Sequence, residues 1–520
     1  MKKRIVLLLP VFILCAILGI AAYLRLYHIN LYMTFLGDEG RDVLIVKRMI
    51  VDGKWTLLGP TASVGGFFMG PIYYYFMLPF LWLWKLNPVG PAIMVALVGI
   101  LTTYLIYRFG KELFGERVGI IASSLYALSP LVISYSRSSW NPNIVPFFSL
   151  SMFYLLWRII TKKTWHELFW VGIIIGIGIQ LHYTFLFVLP VLGIVCLWHG
   201  RAWERIKDYG LCLLGFLIGF APFLGFEVRH GFTNTKAIFS FIFEGKDTGF
   251  FLSSFVSNIT DVYLRLFGRF LLRIPEKGAL GNLPFWEKTA WTYGTIGLAV
   301  MTLVVLGLIL YRFWKTKKNV TPGYRSGILL LVLWIGSILM LFGIYKKSIY
   351  DYYLGSMFFA PFFLIGIVLD RLFTYKIGKI VASALLLFLL LFNWEGRPFK
   401  FAPNNQLGQV ELIAKAVVEK TDGKPFNFAL ITTGNSDHAY RYFFEIWGNP
   451  PMTIENTVID PDRKTVTEQL LIVCEDIFCK PLGNSLWEVA GFGRAEIVGQ
   501  WDVSVVKIYK LVHYKEEVAQ

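Results

Sequence analysis

Residues 1–23 read MKKRIVLLLPVFILCAILGIAAY, three basic residues followed by an apolar run from Ile5 to Tyr23. The run approaches the roughly 20 residues that a helix needs to cross a bilayer. No small-residue cleavage site follows it, so the sequence predicts an uncleaved first membrane span and not a secretory signal.

The composition of the whole chain is typical of a membrane protein. Of its 520 residues 56% are hydrophobic and 16% are charged, and the mean hydropathy is +0.58. These values lie outside the range of soluble globular proteins. The 50 Lys and Arg residues against 34 Asp and Glu would suggest nucleic acid binding in a soluble protein. Here the cations lie between apolar segments, so no nucleic acid partner is expected.

Ten further apolar segments follow the first and predict about eleven transmembrane helices in all, two of them short. The segments are Pro88–Tyr107, Val118–Tyr135, Asn143–Ile160, Leu168–Gln180, Phe185–Trp198, Tyr209–Phe226, Trp291–Phe313, Gly327–Ile344, Tyr353–Leu369 and Ile380–Phe392.

The positions of the basic residues predict the orientation of these spans, because Lys and Arg are retained on the cytoplasmic side. Every second connection is basic: Arg108–Arg117, Lys162–Glu167, His199–Asp208, Tyr311–Arg325 and Asp370–Lys379. We therefore expect a multi-pass protein of the plasma (inner) membrane with a cytoplasmic amino terminus. Counting Pro71–Trp84 as a span would reverse these sides, so this segment is predicted to be juxtamembrane or re-entrant. A first outer loop then runs over about residues 25–87.

The composition becomes mixed after Trp394, which divides the chain into a transmembrane module, residues 1–394, and a small α/β domain, residues 395–520, on the extracytoplasmic side. Strand-like runs occur at Phe426–Thr432, Leu470–Cys474 and Trp501–Leu511, and helical patterns at Val410–Lys420 and Asp437–Trp447. Cys474 and Cys479 allow either a disulfide or two buried thiols.

An acidic motif, Gly37-Asp38-Glu39-Gly40-Arg41-Asp42, follows the first span and precedes an amphipathic run. A helix of this kind is predicted to lie on the membrane surface. Asp38 and Glu39 have two interpretations. They are either catalytic carboxylates, or they cap the helix by accepting hydrogen bonds from its first amides.

Cations are predicted at the outer ends of several spans, at the level of lipid phosphates: Arg137, His182, Arg229, His230 and Lys346. Each either contributes to a phosphate site or simply extends to lipid headgroups. Glu227 is close to Arg229 and His230 in sequence, and these neighbouring charges would hold a pocket together. No phosphate-cradling glycine loop, dinucleotide fingerprint or HExxH motif occurs at a convincing position, so ATP, NAD and zinc-protease chemistry are not indicated.

Four motifs together resemble the polytopic glycosyltransferases of the C superfamily (GT-C), in particular the protein O-mannosyltransferase and aminoarabinose transferase branch. They are Asp38-Glu39, Gly70–Tyr74 (GPIYY, similar to the family's PPLYY), Leu113–Arg117 and Tyr135–Arg137. The resemblance covers roughly the first 230 residues. The order of the motifs and their predicted sides of the membrane agree with it.

This resemblance implies an inverting transfer, on the outer side, from a polyprenyl-phosphate-linked sugar to a hydroxyl of a glycan, lipid or protein. Asp38 would by this resemblance be the catalytic carboxylate, with Glu39 beside it. The chemistry itself calls for positive charge near the departing lipid phosphate, and we expect Arg137, His182, Arg229, His230 and Lys346 to supply it. Two departures limit the comparison. Gly70 replaces the family's first proline, and Trp140–Asn143 replaces the acidic, metal-binding loop of related oligosaccharyltransferases. We therefore expect no metal and no cofactor.

Two other classes of protein remain as alternatives. A transporter or flippase of lipid-linked sugars would also need many spans, but transporters usually place polar residues near the bilayer midplane and show internal repeats. Neither feature is evident in the sequence. A structural or sensor protein acting through its C-terminal domain would not need Asp38, Glu39 or the outer cations.

Overall fold

A computed structural model of the protein describes residues 2–62, 65–199, 202–244, 249–275, 283–315 and 321–514, without the side chains of residues 2–8, 199, 202, 203 and 242. Parts of the predicted basic connections His199–Asp208 and Tyr311–Arg325 lie outside these residues. The chain forms two compact units. The helical unit comprises residues 1–27, 56–76 and 92–402, and the mixed unit comprises residues 28–55, 77–91 and 403–520.

The described residues are mostly helical. The helices are α1 (Lys2–Leu26), α2 (Ile29–Tyr32), α3 (Gly37–Val51), α4 (Ile72–Leu83), α5 (Val89–Phe114), α6 (Glu116–Leu128), α7 (Pro130–Tyr135), α8 (Val145–Lys162), α9 (Leu168–Leu181), α10 (Leu189–His199), α11 (Ile206–Arg229), α12 (Thr233–Phe243), α13 (Leu252–Gly268), α14 (Phe285–Lys315), α15 (Pro322–Gly343), α16 (Ala360–Leu372), α17 (Lys376–Trp394), α18 (Gln406–Lys420), α19 (His438–Ile446) and α20 (Trp487–Ala490). Short 3₁₀ turns include Tyr183–Val188 and Asp351–Met357.

The predicted polytopic, α-helical membrane architecture is confirmed. Within the described residues seven helices are long and apolar enough to cross a membrane, and an eighth candidate is the pair Asp351–Met357 and Ala360–Leu372, which is bent by 57°. The remaining predicted segments are helical but shorter or broken. The segment Val118–Tyr135 is interrupted at Ser129, because the following Pro130 disfavours a helical conformation at the residue before it.

The segment Pro71–Trp84, which was predicted not to cross the membrane, contains the helix Ile72–Leu83. Its 12 residues give a length of about 18 Å at the usual helical rise, well short of the hydrocarbon thickness. The length of this helix agrees with the predicted juxtamembrane or re-entrant segment.

Helices α9 and α11 are packed with their backbones in contact, and glycines make this possible. A Cβ atom at Gly172 would lie 2.0 Å from the Cys212 carbonyl oxygen, and one at Gly215 would lie 2.0 Å from the Phe169 carbonyl oxygen. Small residues allow helices to approach closely inside a bilayer, where burial of apolar surface provides little driving force. A side chain at either glycine would therefore push α9 and α11 apart.

The mixed unit contains one four-stranded sheet in the order β1-β2-β4-β3, where β1 is Asn427–Ile431, β2 is Gln469–Cys474, β3 is Ala495–Val503 and β4 is Val506–His513. Strands β1 and β2 are parallel, and the other two pairs are antiparallel. The predicted strand Trp501–Leu511 is in fact a hairpin that turns at Ser504, which has a φ of +53°. The turn was missed because it contains no glycine or asparagine signal.

Cys474 and Cys479 form a disulfide, one of the two possibilities that the sequence left open. It closes a short loop at the end of β2, in which Ile477 and Phe478 are almost fully exposed. The loop begins with Glu475, whose amide continues the β1-β2 ladder by donating to the carbonyl oxygen of Ile431 at 3.0 Å.

Helix α3 belongs to the mixed unit and packs on α19. The mixed unit thus includes the helix that carries Asp38 and Glu39, together with residues 403–520 of the predicted C-terminal domain 395–520. Arg48 near the end of α3 forms an ion pair with Glu445 of α19, and Lys47 lies 3.4 Å from the same carboxylate.

Candidate active site

The amino terminus of α3 carries the acidic motif, and its first turn contains Asp38 and Glu39. Carboxylates are favourable at this end of a helix, because the unpaired amides of the first turn give it a partial positive charge. The residue before the helix, Leu36, is extended, and its amide donates to Oε2 of Glu39 at 3.1 Å. Glu39 therefore performs the capping role that the sequence left open for either acid.

Glu39 is buried, with only 7% of its surface exposed. Burial raises the pKa of its carboxyl group to about 7, against the opposing effect of the hydrogen bonds that it accepts from backbone amides. A pKa near neutrality is common for catalytic acids and bases, but burial alone also produces it. Because the group is covered, an acceptor hydroxyl cannot reach it in this arrangement.

Asp38 has the opposite environment, since 54% of its side chain is exposed. Its Oδ1 accepts a hydrogen bond from Nη1 of Arg41 at 2.8 Å. The Nε and Nη2 atoms of Arg41 donate to Oδ1 of the fully buried Asp42, at 2.9 and 2.8 Å. Asp42 thus orients Arg41, which in turn holds Asp38 in a position open to solvent. Of these three acids, Asp38 is the one accessible to a substrate.

A histidine from the C-terminal part of the chain lies close to this carboxylate. His438, at the start of α19, is partly exposed, and its Nδ1 is 2.8 Å from Oγ of Ser436. Burial and the nearby Arg41 lower the pKa of His438, whereas Asp437 and Asp38 raise it. His438 is therefore within electrostatic reach of Asp38.

The predicted phosphate-binding residues all lie in the helical unit, in different environments. Arg137 is buried and donates from Nη1 to the Leu24 carbonyl oxygen at 2.7 Å and from Nη2 to the Tyr27 carbonyl oxygen at 2.9 Å. These carbonyl groups lie at the carboxyl end of α1, where a cation is favourable. Arg137 thus caps α1 from inside the helical unit.

His182 is also buried, and its Nδ1 is 2.7 Å from Oγ1 of Thr184. Its ring lies among tyrosines, with centroid distances of 5.6 Å to Tyr352 and 5.2 Å to Tyr353. The surrounding group of aromatic rings comprises Trp140, Tyr183, Tyr345, Tyr350, Tyr352 and Tyr353. His182 is therefore part of an aromatic cluster and is shielded from solvent.

Arg229 and His230 are exposed at the end of α11. The structure does not use Glu227 as their partner, contrary to the expected pocket. Glu227 is buried and caps α12, since its carboxylate accepts from the amides of Asn234 at 3.2 Å and Thr235 at 2.8 Å. Lys346 is exposed as well, with its Nζ 5.0 Å from the ring centroid of Phe251.

A cavity of about 380 Å³ in the helical unit brings together a further set of charged residues. Its charged lining residues are Asp261, Arg265, Arg269 and Asp351, and its apolar lining includes Leu264, Ile274, Ile296 and Ile349. Nε of Arg269 donates to the buried Asp351 at 2.6 Å, and Arg265 pairs with Asp261 at 2.6 Å. The volume lies within the usual range for small-molecule sites.

In the part of the chain that the structure describes, no group of three His, Cys, Asp or Glu side chains is arranged to hold a metal ion.

A protein-family model described as dolichyl-phosphate-mannose-protein mannosyltransferase matches residues 69–226. The structure of ArnT from Cupriavidus metallidurans bound to undecaprenyl phosphate is similar, with a TM-score of 0.58, 14% identity, and 96% of this chain and 97% of that chain covered. Its apo structure has the same TM-score at 13% identity, with 98% of each chain covered. The protein has the fold of a GT-C membrane glycosyltransferase.

A second GT-C neighbour is the archaeal oligosaccharyltransferase AglB from Archaeoglobus fulgidus, in complex with an inhibitory peptide and a dolichol-phosphate. Its TM-score is 0.50 at 13% identity, with 89% of this chain and 69% of that chain covered. No curated protein matches the chain in sequence. The family match contains the motifs Gly70–Tyr74, Leu113–Arg117 and Tyr135–Arg137, and it begins after Asp38.

Arg265 and Arg269 are candidate site residues that were not predicted from the sequence. Arg265 lies in the last turn of the amphipathic helix α13 and Arg269 directly follows the helix, so their spacing of four residues places them on one side, and this spacing was visible in the sequence. Asp351 is more than 80 residues away from both arginines, so its ion pair with Arg269 could not be predicted from the sequence.

Proposed function

We propose that the protein transfers a sugar from a polyprenyl-phosphate-linked donor to an acceptor hydroxyl, with inversion at the anomeric carbon. The observation that carries this proposal is the exposed carboxylate of Asp38, held by Arg41 at the start of α3 while Glu39 takes over the cap. The family model supports it, since its description names a dolichyl-phosphate-mannose donor and a protein acceptor. Structures of ArnT and AglB contain undecaprenyl phosphate and dolichol-phosphate.

In the proposed reaction the acceptor oxygen attacks the anomeric carbon and its proton passes to Asp38. The bond between that carbon and the phosphate oxygen breaks, so a single displacement inverts the configuration. The departing phosphate is already acidic, with a second pKa of about 6, and positive charge stabilises it more than a proton donor would. The reaction is balanced without a metal or a cofactor.

Arg265 and Arg269 are the residues that we assign to the donor phosphate. Guanidinium groups match phosphate oxygens with two parallel N–H donors. The carboxylates of Asp261 and Asp351 hold both groups in fixed directions, and the apolar side of the cavity suits the first isoprene units. Because two aspartates balance the charge of two arginines, binding here depends on directed hydrogen bonds more than on net charge.

The five cations named from the sequence receive different proposed roles. Arg137 and His182 already bind groups inside the helical unit, so they are assigned to shaping it. Arg229, His230 and Lys346 are exposed, and they are assigned to attracting the anionic lipid donor to the outer membrane surface. The proposed orientation keeps the amino terminus in the cytoplasm and the C-terminal domain outside.

The test uses purified protein in proteoliposomes with labelled polyprenyl-phosphate monosaccharides, extracted as a pool from the cells that make the chain. Addition of an envelope extract as acceptor is expected to release polyprenyl phosphate and move label to the extract. The alternative function, a transporter or flippase of lipid-linked sugar, predicts movement of the intact donor between leaflets without release. Release that is equal in liposomes without protein would overturn the proposal.

A further inference from the structure

The loop Thr433–His438, which follows β1, lies against the first turn of α3. Oδ1 of Asn435 accepts hydrogen bonds from the amides of Gly37 and Ser436, both at 2.8 Å. The first amides of a helix have no partner within the helix itself. At Gly37 this partner is supplied by a side chain 398 residues later in the sequence.

Two glycines bring the backbones of α3 and the C-terminal part of the chain into contact. A Cβ atom at Gly37 would lie 2.1 Å from Oγ of Ser436, and one at Gly40 would lie 2.4 Å from Cα of Ala439. These glycines flank Asp38 and Glu39. The backbone that carries the candidate base is therefore held on both sides by direct contact with the loop and with α19.

The amide group of Asn435 is itself held in one orientation. Its Nδ2 lies 3.1 Å from both carboxylate oxygens of Glu475, so it donates there while Oδ1 faces Gly37. The hydroxyl of Tyr440 also donates to Glu475, at 2.8 Å. Glu475 directly follows Cys474, which the disulfide and the β-sheet fix in place. A continuous series of contacts thus runs from the sheet to the start of α3.

We propose that Asn435 and Glu475 are positioning residues of the active site, so that the C-terminal domain is a working part of the transferase. Asn435 holds the first turn of α3. Glu475 binds Nδ2 of Asn435 and thereby keeps Oδ1, and not Nδ2, directed at the Gly37 amide. This inference rests on the proposed function, because the exact position of Asp38 matters only if Asp38 acts on the substrate. Displacement of a catalytic group by about 1 Å can cost 100-fold in rate.

Two single substitutions break the series in different ways. Asn435→Asp retains an oxygen for Gly37 but places a carboxylate against Glu475. Glu475→Gln turns one of the two carboxylate oxygens into an NH2 group, so Nδ2 of Asn435 faces a donor at one of its two contacts and shares the remaining oxygen with the Tyr440 hydroxyl. Each is expected to lower the turnover number about 10- to 100-fold, with the Michaelis constant for the labelled donor pool changed less than about threefold.

The double variant N435D/E475Q reverses the direction of the hydrogen bond, because the new glutamine donates to the new aspartate. Aspartate is as good a helix cap as asparagine. The double variant is therefore expected to recover turnover to within about threefold of the wild type, which independent effects of the two changes would not allow. Asn449→Asp, at an exposed position of the same unit, is the matched control and is expected to be neutral.

A second measurement is hydrogen exchange of residues 36–48 in the purified full-length chain. Faster exchange is expected in both single variants, and wild-type exchange in the double variant. Faster exchange with unchanged turnover in the single variants would overturn the inference, and so would a double variant as impaired as either single one. If Asp38→Asn is fully active, the proposed function fails, whereas the exchange pattern still shows whether Asn435 and Glu475 hold α3.

Discussion

Replacing Asp38 by Asn removes the proposed proton acceptor while leaving the start of α3 almost unchanged. The cap is provided by Glu39 and Asn435, whose hydrogen bonds to Leu36 and Gly37 do not involve Asp38. The change weakens the Asp38–Arg41 ion pair, an exposed pair three residues apart in one helix. Such pairs contribute about 0.3–0.5 kcal/mol, so folding and expression should persist.

The expected loss of activity is much larger than this loss of stability. Proton transfer to a positioned base contributes about 10²–10⁴-fold to a rate, which corresponds to roughly 3–5 kcal/mol of transition-state stabilisation. We expect Asp38→Asn to lower turnover about 100-fold or more, with binding of the lipid donor preserved. Single-turnover release of polyprenyl phosphate, measured beside donor binding, separates the two effects.

Two matched variants show whether the effect belongs to Asp38. Asp52→Asn makes the same chemical change at the other end of α3, about 20 Å away, and should leave turnover unchanged. Glu39→Gln keeps an oxygen for the Leu36 amide and should lower turnover less than about fivefold. Turnover of Asp38→Asn within about threefold of the wild type would refute the base assignment. A severe loss in Glu39→Gln with a mild one in Asp38→Asn would transfer the assignment to Glu39.

Three further predictions concern the acid beside the base, the phosphate site and the orientation. Burial raises the pKa of Glu39 to about 7, so the folded chain binds more protons than the unfolded chain between about pH 4.5 and 7, and the free energy of unfolding falls as the pH rises through that range. The unfolding temperature should therefore drop less in Glu39→Gln than in the wild type between about pH 5 and pH 8. Arg265→Lys keeps the charge but loses the two parallel donors, and it should raise the Michaelis constant for the donor about tenfold, whereas Arg117→Lys, at an exposed arginine paired with Asp370, should not. The orientation is tested in a variant that lacks the free cysteines Cys15, Cys196 and Cys212. In this variant Lys464→Cys should react with an impermeant maleimide in intact cells, and Thr374→Cys should react only after lysis. The reverse pattern of labelling would contradict the proposed orientation.

The membrane architecture could be predicted because hydropathy acts on each segment separately. A run such as Trp291–Phe313 is apolar over the length of a span whatever surrounds it, and the structure contains the helix Phe285–Lys315 there. The helix break at Ser129 could also have been predicted, because Pro130 follows it. It was overlooked because the segment Val118–Tyr135 is apolar throughout. The hairpin at Ser504 was missed because its left-handed residue is a serine.

The arrangement of the candidate site could be predicted only in part, because its decisive contacts join distant segments. The acidic motif was evident, but the division of roles between Asp38 and Glu39 depends on which side chain turns towards the Leu36 amide. The sequence shows Gly37 and Gly40 beside the acids. It does not show why glycine is needed there, which is that Ser436 and Ala439 leave no room for a side chain. Such contacts have no local periodicity from which a single sequence can reveal them.

The anomeric configuration of the transferred sugar distinguishes a single displacement with Asp38 as base from every alternative considered above. The labelled product is released from the acceptor fraction after reaction with the purified protein, and its anomeric configuration is compared with that of the lipid-linked donor by NMR. We expect a new glycosidic linkage of inverted configuration, which the Asp38→Asn variant does not form. Retention of configuration, or intact donor moved across the membrane with no new linkage, would contradict it.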